Sequence, residues 1–193
     1  MAGRPKIFSE EDVLEKAGNF FWEKGYEASS TDELIKAMGI QRGSFYNTFS
    51  SKKELYIRTI NFHEKKSLEG FESLLKKSNN PLATIKEVFL SLCDCPLAEH
   101  QKGCFAGNTI AELSGIDQEL AENAKKHLKE MQKIFFKALV RARNEGILIL
   151  ETDPNVLALY LLNLWNGLNI TRRIYPDKTI LKPLVKFQLE FLI

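Results

Sequence analysis

The sequence is poor in cysteine and histidine, with three of each among 193 residues. Because Cys93, Cys95 and Cys104 are odd in number, they disfavour a secreted disulfide framework, and we expect a reducing cytoplasm. No apolar run approaches the ~18 residues that a membrane-spanning helix needs, and the opening MAGRPKIFSEED is polar. We therefore expect no membrane partner and no signal peptide.

Motifs of enzyme chemistry are also missing. The sequence has no Gly-rich phosphate loop, no paired-histidine metal motif and no Ser/His/Asp set at a supportive spacing. Cys104 with His100 or His127 hints at a thiol mechanism, but no third orienting group is evident. We therefore predict that the protein is not an enzyme and needs no cofactor. A thiol-dependent enzyme and a helical protein-interaction scaffold are the alternatives.

An all-α fold is predicted, because apolar residues recur at helical spacing along the whole chain. A short helix ends at Gly39, another carries Phe45 and Phe49, and a long fourth helix follows. This order predicts a three-helix, helix-turn-helix DNA-binding domain over residues 1–55. A larger helical domain for effector binding and dimerisation is predicted over residues 56–193.

The stretch GSFYNTFSSKKELY, residues 43–56, separates apolar from polar side chains. Phe45 and Phe49 share one helix face, whereas the residues between them are hydrogen-bonding groups. The second helix of a helix-turn-helix needs such an apolar face toward its own domain and polar tips toward the major groove. Charge agrees with this interpretation, since residues 34–58 carry five basic side chains against one acid, after an acidic segment.

Residues 9–56, and above all TDELIKAMGIQRGSFYNTFSSKKELY, resemble the DNA-binding domain of the TetR family of bacterial repressors. The resemblance implies a transcriptional regulator, typically a repressor, whose partner is double-stranded DNA. The opening GRPK is similar to a minor-groove arm, with a disordered basic start as the alternative. The predicted DNA contacts are Arg4, Lys6, Ser30, Thr31, Gln41, Arg42, Gly43, Ser44, Tyr46, Asn47, Thr48 and Lys52.

The C-terminal half is predicted to form a homodimer. A helix over residues 154–174 is apolar nearly all round, so it must be buried on more than one side. The last helix, near 182–193, is either kinked by Pro183 or begins near Lys182. We predict that these two helices pair with a second copy, so that the two DNA-binding domains of the dimer bind a palindromic operator. A thick monomeric core is the alternative.

The stretch KGCFAGNTIAEL, residues 102–113, resembles a TetR subgroup with Gly-Cys at a helix start, some members of which sense electrophiles. Three interpretations of Cys104 stay open: a buried packing residue, a reactive sensor thiol, or a metal ligand together with Cys93, Cys95 and His100. Polar residues near the end of helix 154–174 favour a ligand pocket.

Release of the operator by a small molecule, or by modification of Cys104, is therefore predicted. The predicted effector and sensor residues are Cys104, His100, Asn108, Trp165 and Asn169, and no metal site is assigned.

Overall fold

The computed structural model describes residues 9–190, and every regular element in that part of the chain is a helix. The predicted all-α class is confirmed. The helices are α1 (Glu10–Lys24), α2 (Thr31–Met38), α3 (Arg42–Phe49), α4 (Lys52–Lys77), α5 (Pro81–Ser91), α6 (Leu97–Lys102), α7 (Phe105–Leu113), α8 (Gln118–Asn144), α9 (Pro154–Ile174) and α10 (Lys178–Gln188). The predicted DNA contacts Arg4 and Lys6 lie outside the described residues.

The first three helices form the head, the part of the molecule predicted to bind DNA. A capping box begins α2: Ser30 Oγ accepts from the Glu33 backbone N–H, and the Glu33 carboxylate accepts from the Ser30 backbone N–H. Gly39 ends α2 in the left-handed conformation, with φ 68°, which glycine adopts without steric cost. The chain then turns directly into α3, and this is the predicted helix-turn-helix.

Two hydrophobic clusters hold the molecule together. One packs α5, α8, α9 and α10 around Phe89, Phe135 and Leu161. The other contains the head, but it also takes in Phe105 of α7 and Leu120 of α8. The head therefore shares its apolar core with two helices of the larger domain. The division of the chain at residue 55 stays a prediction.

The segment PLAEHQKG, residues 96–103, contains the short helix α6. One feature of the C-terminal domain differs from the sequence interpretation. The last helix begins at Lys178 rather than near Lys182, because Asp177 caps it by accepting from the Thr179 backbone N–H. Pro183 lies inside α10, where the burial of Leu181 and Val185 offsets a proline cost of about 3 kcal/mol.

Candidate DNA-recognition surface and effector cavity

The helix α3 combines an apolar anchor with a polar outer face. Phe45 and Phe49 are fully buried, and burial of each stabilises the head by about 1.5–3 kcal/mol. Tyr46 keeps 47% of its surface exposed. The predicted contacts on this helix are exposed at Gln41, Arg42, Gly43, Tyr46 and Asn47, and half-buried at Ser44 and Thr48. This is the arrangement that a recognition helix needs.

The start of α3 and the start of α2 leave room for a phosphate backbone. A Cβ built at Gly43 would meet no atom within 4 Å, so packing does not require glycine there. Arg42 forms an exposed ion pair with Asp32, and such pairs contribute about 1 kcal/mol or less. A phosphate oxygen can therefore replace Asp32 at little cost. Ser30 and Thr31 lie at the N-terminus of α2, exposed and half-buried respectively.

Lys52 and Lys53 are used by the protein itself, which the sequence interpretation did not anticipate. Lys52 Nζ donates to the carbonyl oxygens of Tyr26 and Ser29 at 3.0 and 3.1 Å, and lies 4.1 Å from the Tyr26 ring centroid. Lys53 pairs with Asp117 and Glu119, each at 2.8 Å, and these hydrogen bonds raise its pKa. Both ammonium groups thus connect parts of the fold. The DNA contact of Lys52 stays a prediction.

The helix α7 makes two polar contacts with the head and one with α4. The Glu112 carboxylate accepts from the backbone N–H groups of Tyr26 and Glu27 at 3.1 and 2.8 Å. The Tyr56 and Thr109 hydroxyls lie 2.7 Å apart in the buried core. A displacement of α7 would therefore be transmitted to the loop between α1 and α2 and to α4.

A cavity of 430 Å³ lies at the other end of α7, within the volume range of small-molecule sites. Its lining combines aromatic and aliphatic side chains with a few polar groups. The lining residues are Trp22, His63, Glu64, Lys66, Ser67, Leu92, Cys95, Glu99, Gly103, Cys104, Phe105, Met131, Trp165, Asn169 and Arg172. Three predicted effector residues, Cys104, Trp165 and Asn169, are thereby brought together.

Cys104 is buried and protonated. It is the N-cap of α7, and its sulfur accepts from the Gly107 backbone N–H at 3.4 Å. Burial raises the pKa of the thiol to about 11, and the nearby Glu64 carboxylate also raises it. The helix N-terminus favours a thiolate, but desolvation outweighs it. The nearby Lys102 pairs instead with Glu99 at 2.9 Å.

Glu64 is a feature of the cavity that sequence analysis missed. It is 7% exposed, and its carboxylate accepts from the Ala106 backbone N–H at 3.2 Å. Burial raises the pKa of this carboxyl to about 7, with the Ala106 hydrogen bond acting weakly in the opposite direction. The group is therefore largely protonated below neutral pH. In the sequence it is followed by two lysines, Lys65 and Lys66, and no local signal marks it as buried.

The metal interpretation of the cysteines is wrong for the described residues. Between residues 9 and 190, no group of three or more potential metal ligands is gathered in one place. Cys93 and Cys95 donate instead to backbone carbonyls of Phe89 and Ser91 at 3.8 and 3.7 Å. Both thiols donate to the preceding turn of their own segment, so the spacing of the cysteines in the sequence does not produce a metal site in the described residues.

The other two predicted effector residues do not line this cavity. His100 is 2% exposed, and its buried Nδ1 has no partner in the described part of the chain. Asn108 donates to the Lys102 carbonyl oxygen at 2.8 Å and accepts from Arg173 at 2.7 Å. It lines a separate, wide groove of 680 Å³ between α7 and the head. Their roles in effector binding stay predictions.

The last two helices expose an apolar surface, which we call the α9–α10 face. On α9 it consists of Val156, Leu159 and Tyr160, which are 56%, 54% and 38% exposed. On α10 it consists of Ile180 and Phe187, which are 49% and 76% exposed. These side chains repeat at helical spacing on the side opposite the core. None of the helices described in residues 9–190 is long and apolar enough to cross a lipid bilayer.

Two family models match the sequence. Residues 13–59 match the bacterial regulatory proteins of the tetR family, and residues 81–186 match the tetracyclin repressor-like C-terminal domain. Among curated proteins, the chain is 31% identical to an uncharacterized HTH-type transcriptional regulator, YezE, of Bacillus subtilis (strain 168), over 82% of this chain and 83% of that protein. It is 25% identical to the HTH-type transcriptional repressor ComR of Escherichia coli (strain K12), over 89% and 82%.

Solved structures share the fold over nearly the whole chain. A cysteine mutant of the TetR family transcriptional regulator CifR, complexed with 26-base-pair double-strand operator DNA, superposes with a TM-score of 0.83. It is 22% identical, over 97% of this chain and 98% of that one. The reduced form of E. coli NemR gives a TM-score of 0.83 at 20% identity, over 94% and 95%. At these identities the likeness concerns the fold.

Proposed function

The chain belongs to the TetR family of bacterial regulatory proteins, and from this premise we propose that it is a repressor whose operator binding is released by a cavity ligand. It is a DNA-binding transcriptional regulator. The observation that carries this function is α3, which is anchored by Phe45 and Phe49 and exposes polar side chains outward. No catalytic role is assigned, and we infer that the protein acts in the cytoplasm, where its DNA partner lies.

We propose that α3 reads the major groove, with Tyr46 and Asn47 as exposed contacts on its outer face. Arg42 would exchange its Asp32 partner for a phosphate. Ser30 and Thr31 would bind phosphate at the N-terminus of α2, where free backbone N–H groups favour anions. The remaining predicted contacts in the described chain are Gln41, Gly43, Ser44, Thr48 and Lys52.

We propose that the α9–α10 face pairs with the same face of a second copy about a two-fold axis. Each apolar side chain would then leave water, which contributes about 25 cal/mol per Å² of apolar surface. Two heads related in this way bind half-sites of an approximate palindrome, about 34–36 Å apart. This proposal is supported by the exposure of five large apolar side chains on two adjacent helices.

We propose that the switch runs along α7. A ligand in the cavity displaces Cys104 and Phe105 at the start of α7, and Thr109 and Glu112 carry the movement to the head. A second route is suggested by Cys104, because an electrophile that enters the cavity would meet this thiol. The raised pKa of Cys104 makes covalent modification slow at neutral pH, so reversible binding is the main proposal.

Selection of binding sites from random duplex DNA, followed by fluorescence anisotropy, tests the function. A recovered site should be an approximate palindrome, and Tyr46→Ala should weaken binding to it by roughly tenfold, about 1.4 kcal/mol. Tyr175→Ala is the matched control, since Tyr175 is 52% exposed at the end of α9. Recovery of no preferred sequence, or equal binding by both variants, would contradict the assignment.

A further inference from the structure

We propose that the effector cavity binds a small monocarboxylate with an apolar body, and that Arg172 holds its negative charge. This inference rests on the proposed function, because it names the chemical class of the ligand for the same cavity. It concerns a polar group that the DNA-binding role does not use.

Arg172 is a buried cation that forms no ion pair with a carboxylate in the described residues, although the Cys95 sulfur and the charge of Glu99 lie near enough to favour its charged form. Its side chain lines the cavity, and the residue is only 5% exposed. One guanidinium N–H donates to the Gly103 carbonyl oxygen at 3.1 Å, whereas the buried Nε has no partner in the described residues. Burial of an unpaired charge costs several kcal/mol, and here burial lowers the pKa of the guanidinium. A bound anion would offset this cost.

The carboxylates that the structure describes along the same cavity do not supply that anion. Glu64 accepts a hydrogen bond from Ala106 and is held largely protonated below neutral pH. Glu99 pairs with Lys102 at 2.9 Å. Neither carboxylate forms an ion pair with the Arg172 guanidinium, so an anionic ligand can supply the missing partner.

A single buried cation matches a single negative charge. A doubly charged phosphate would leave one charge unbalanced against a largely apolar wall, whereas a carboxylate pairs with the guanidinium fork in two parallel hydrogen bonds. The walls beyond Arg172 are aromatic or aliphatic at Phe105, Met131 and Trp165. The buried Trp165 indole N–H lies beside the Cys104 sulfur, and it can donate to a second polar group of the ligand. The volume of 430 Å³ accommodates an aryl or alkyl body.

The test compares acids with their uncharged amides. Calorimetric titration of the wild-type protein at neutral pH uses 3-phenylpropionate against 3-phenylpropionamide, and octanoate against octanamide. Each acid should bind about 10- to 100-fold more tightly than its amide, as expected for a hydrogen bond between charged groups of about 1.5–3 kcal/mol. This comparison requires no variant, so it does not depend on the folding of a mutant.

Variants then assign the preference to Arg172. Arg172→Gln should abolish the preference for the acids, whereas Arg172→Lys should retain it with weaker binding. Arg173→Gln is the matched control, because Arg173 lies one residue away and donates to Lys102 and Asn108 outside the cavity. This control removes the same charge and should keep the wild-type preference.

Equal binding of acid and amide, or an unchanged preference in Arg172→Gln, overturns the inference. Failure of both acids to bind at about 10 mM does so too, since such a Kd is worth only about 3 kcal/mol. Operator binding is measured on the same samples. If the operator is bound but the acids are not, only the ligand class is wrong. If the wild-type protein has no operator preference, the proposed function itself fails.

Discussion

Replacement of Glu64 by glutamine should remove a pH dependence of stability. The carboxyl has an ordinary pKa of 4.5, and burial in the folded protein raises the pKa to about 7. Between these values the folded protein binds a proton that the unfolded chain releases. The free energy of unfolding of the wild type therefore falls as pH rises through this window. The full difference corresponds to about 3 kcal/mol, at about 1.36 kcal/mol per pKa unit.

Between pH 5 and pH 8 the loss from this group amounts to about 2–3 kcal/mol, because part of the titration lies outside that interval. Glu64→Gln has no group to titrate, and its amide oxygen can still accept from the Ala106 backbone N–H. From pH 5 to pH 8, the free energy of unfolding of the variant should thus rise by about 2–3 kcal/mol relative to that of the wild type. Any pH-independent cost of the amide cancels in this comparison.

Urea unfolding at four pH values, followed by circular dichroism, measures the difference between the two proteins at fixed protein concentration. Glu69→Gln controls for removal of one negative charge, since Glu69 is an exposed residue of the same helix. A difference between wild type and Glu64→Gln that stays constant from pH 5 to pH 8 would refute the reasoning. It would mean that Glu64 is ionised in the folded protein throughout this range.

Three further predictions concern the dimer, the link to the head and the thiol. Leu159→Glu on the α9–α10 face should give a monomer with weakened operator binding in sedimentation velocity and anisotropy, whereas Leu97→Glu, equally exposed on α6, should stay dimeric. Glu112→Ala should lower the free energy of unfolding by about 1–3 kcal/mol and speed amide exchange at residues 26 and 27, because two backbone N–H groups lose a charged acceptor. The control Glu122→Ala, on the surface of α8, should have neither effect. At pH 7, Cys104 should be alkylated about 100-fold more slowly than a thiol with the ordinary pKa of 9.0. The alkylation rate should rise about tenfold per pH unit up to about pH 10, and peptide mass spectrometry measures it. Rapid stoichiometric alkylation at pH 7 would contradict the last expectation.

The helices and the recognition surface could be predicted because their signals are local. Asp153 followed by Pro154 fixes the start of α9 through capping and the fixed φ of proline, and the helix ends at Ile174 as expected. Phe45 and Phe49 are buried because a short helix with one apolar face has one way to pack. Each of these features depends on residues within one or two turns of each other.

The cavity could be predicted only in part, because its chemistry depends on contacts between distant segments. Trp165 and Asn169 follow from helical spacing along α9. Glu64 becomes a buried acid only when the start of α7, about forty residues later, covers it. Likewise, the partners of Lys53 lie 64 and 66 residues away, at Asp117 and Glu119, so no local pattern in the sequence reveals them. A lysine near the start of a helix does not reveal from the sequence which group will pair with it.

The apolar core that the head shares with α7 and α8 bears on how regulators of this kind can be recombined. Cutting the chain after residue 55 would expose Phe21 to water and remove its T-shaped contact with Tyr56, 4.7 Å between ring centroids. The transplanted head would also lack Phe105, which packs against the Tyr56 ring at 5.8 Å. A hybrid regulator with a new operator preference is therefore better made by exchanging the outer side chains of α3 than by grafting whole heads. Exchange of these outer side chains leaves the shared core and the cavity unchanged, so operator preference can be altered without altering ligand preference.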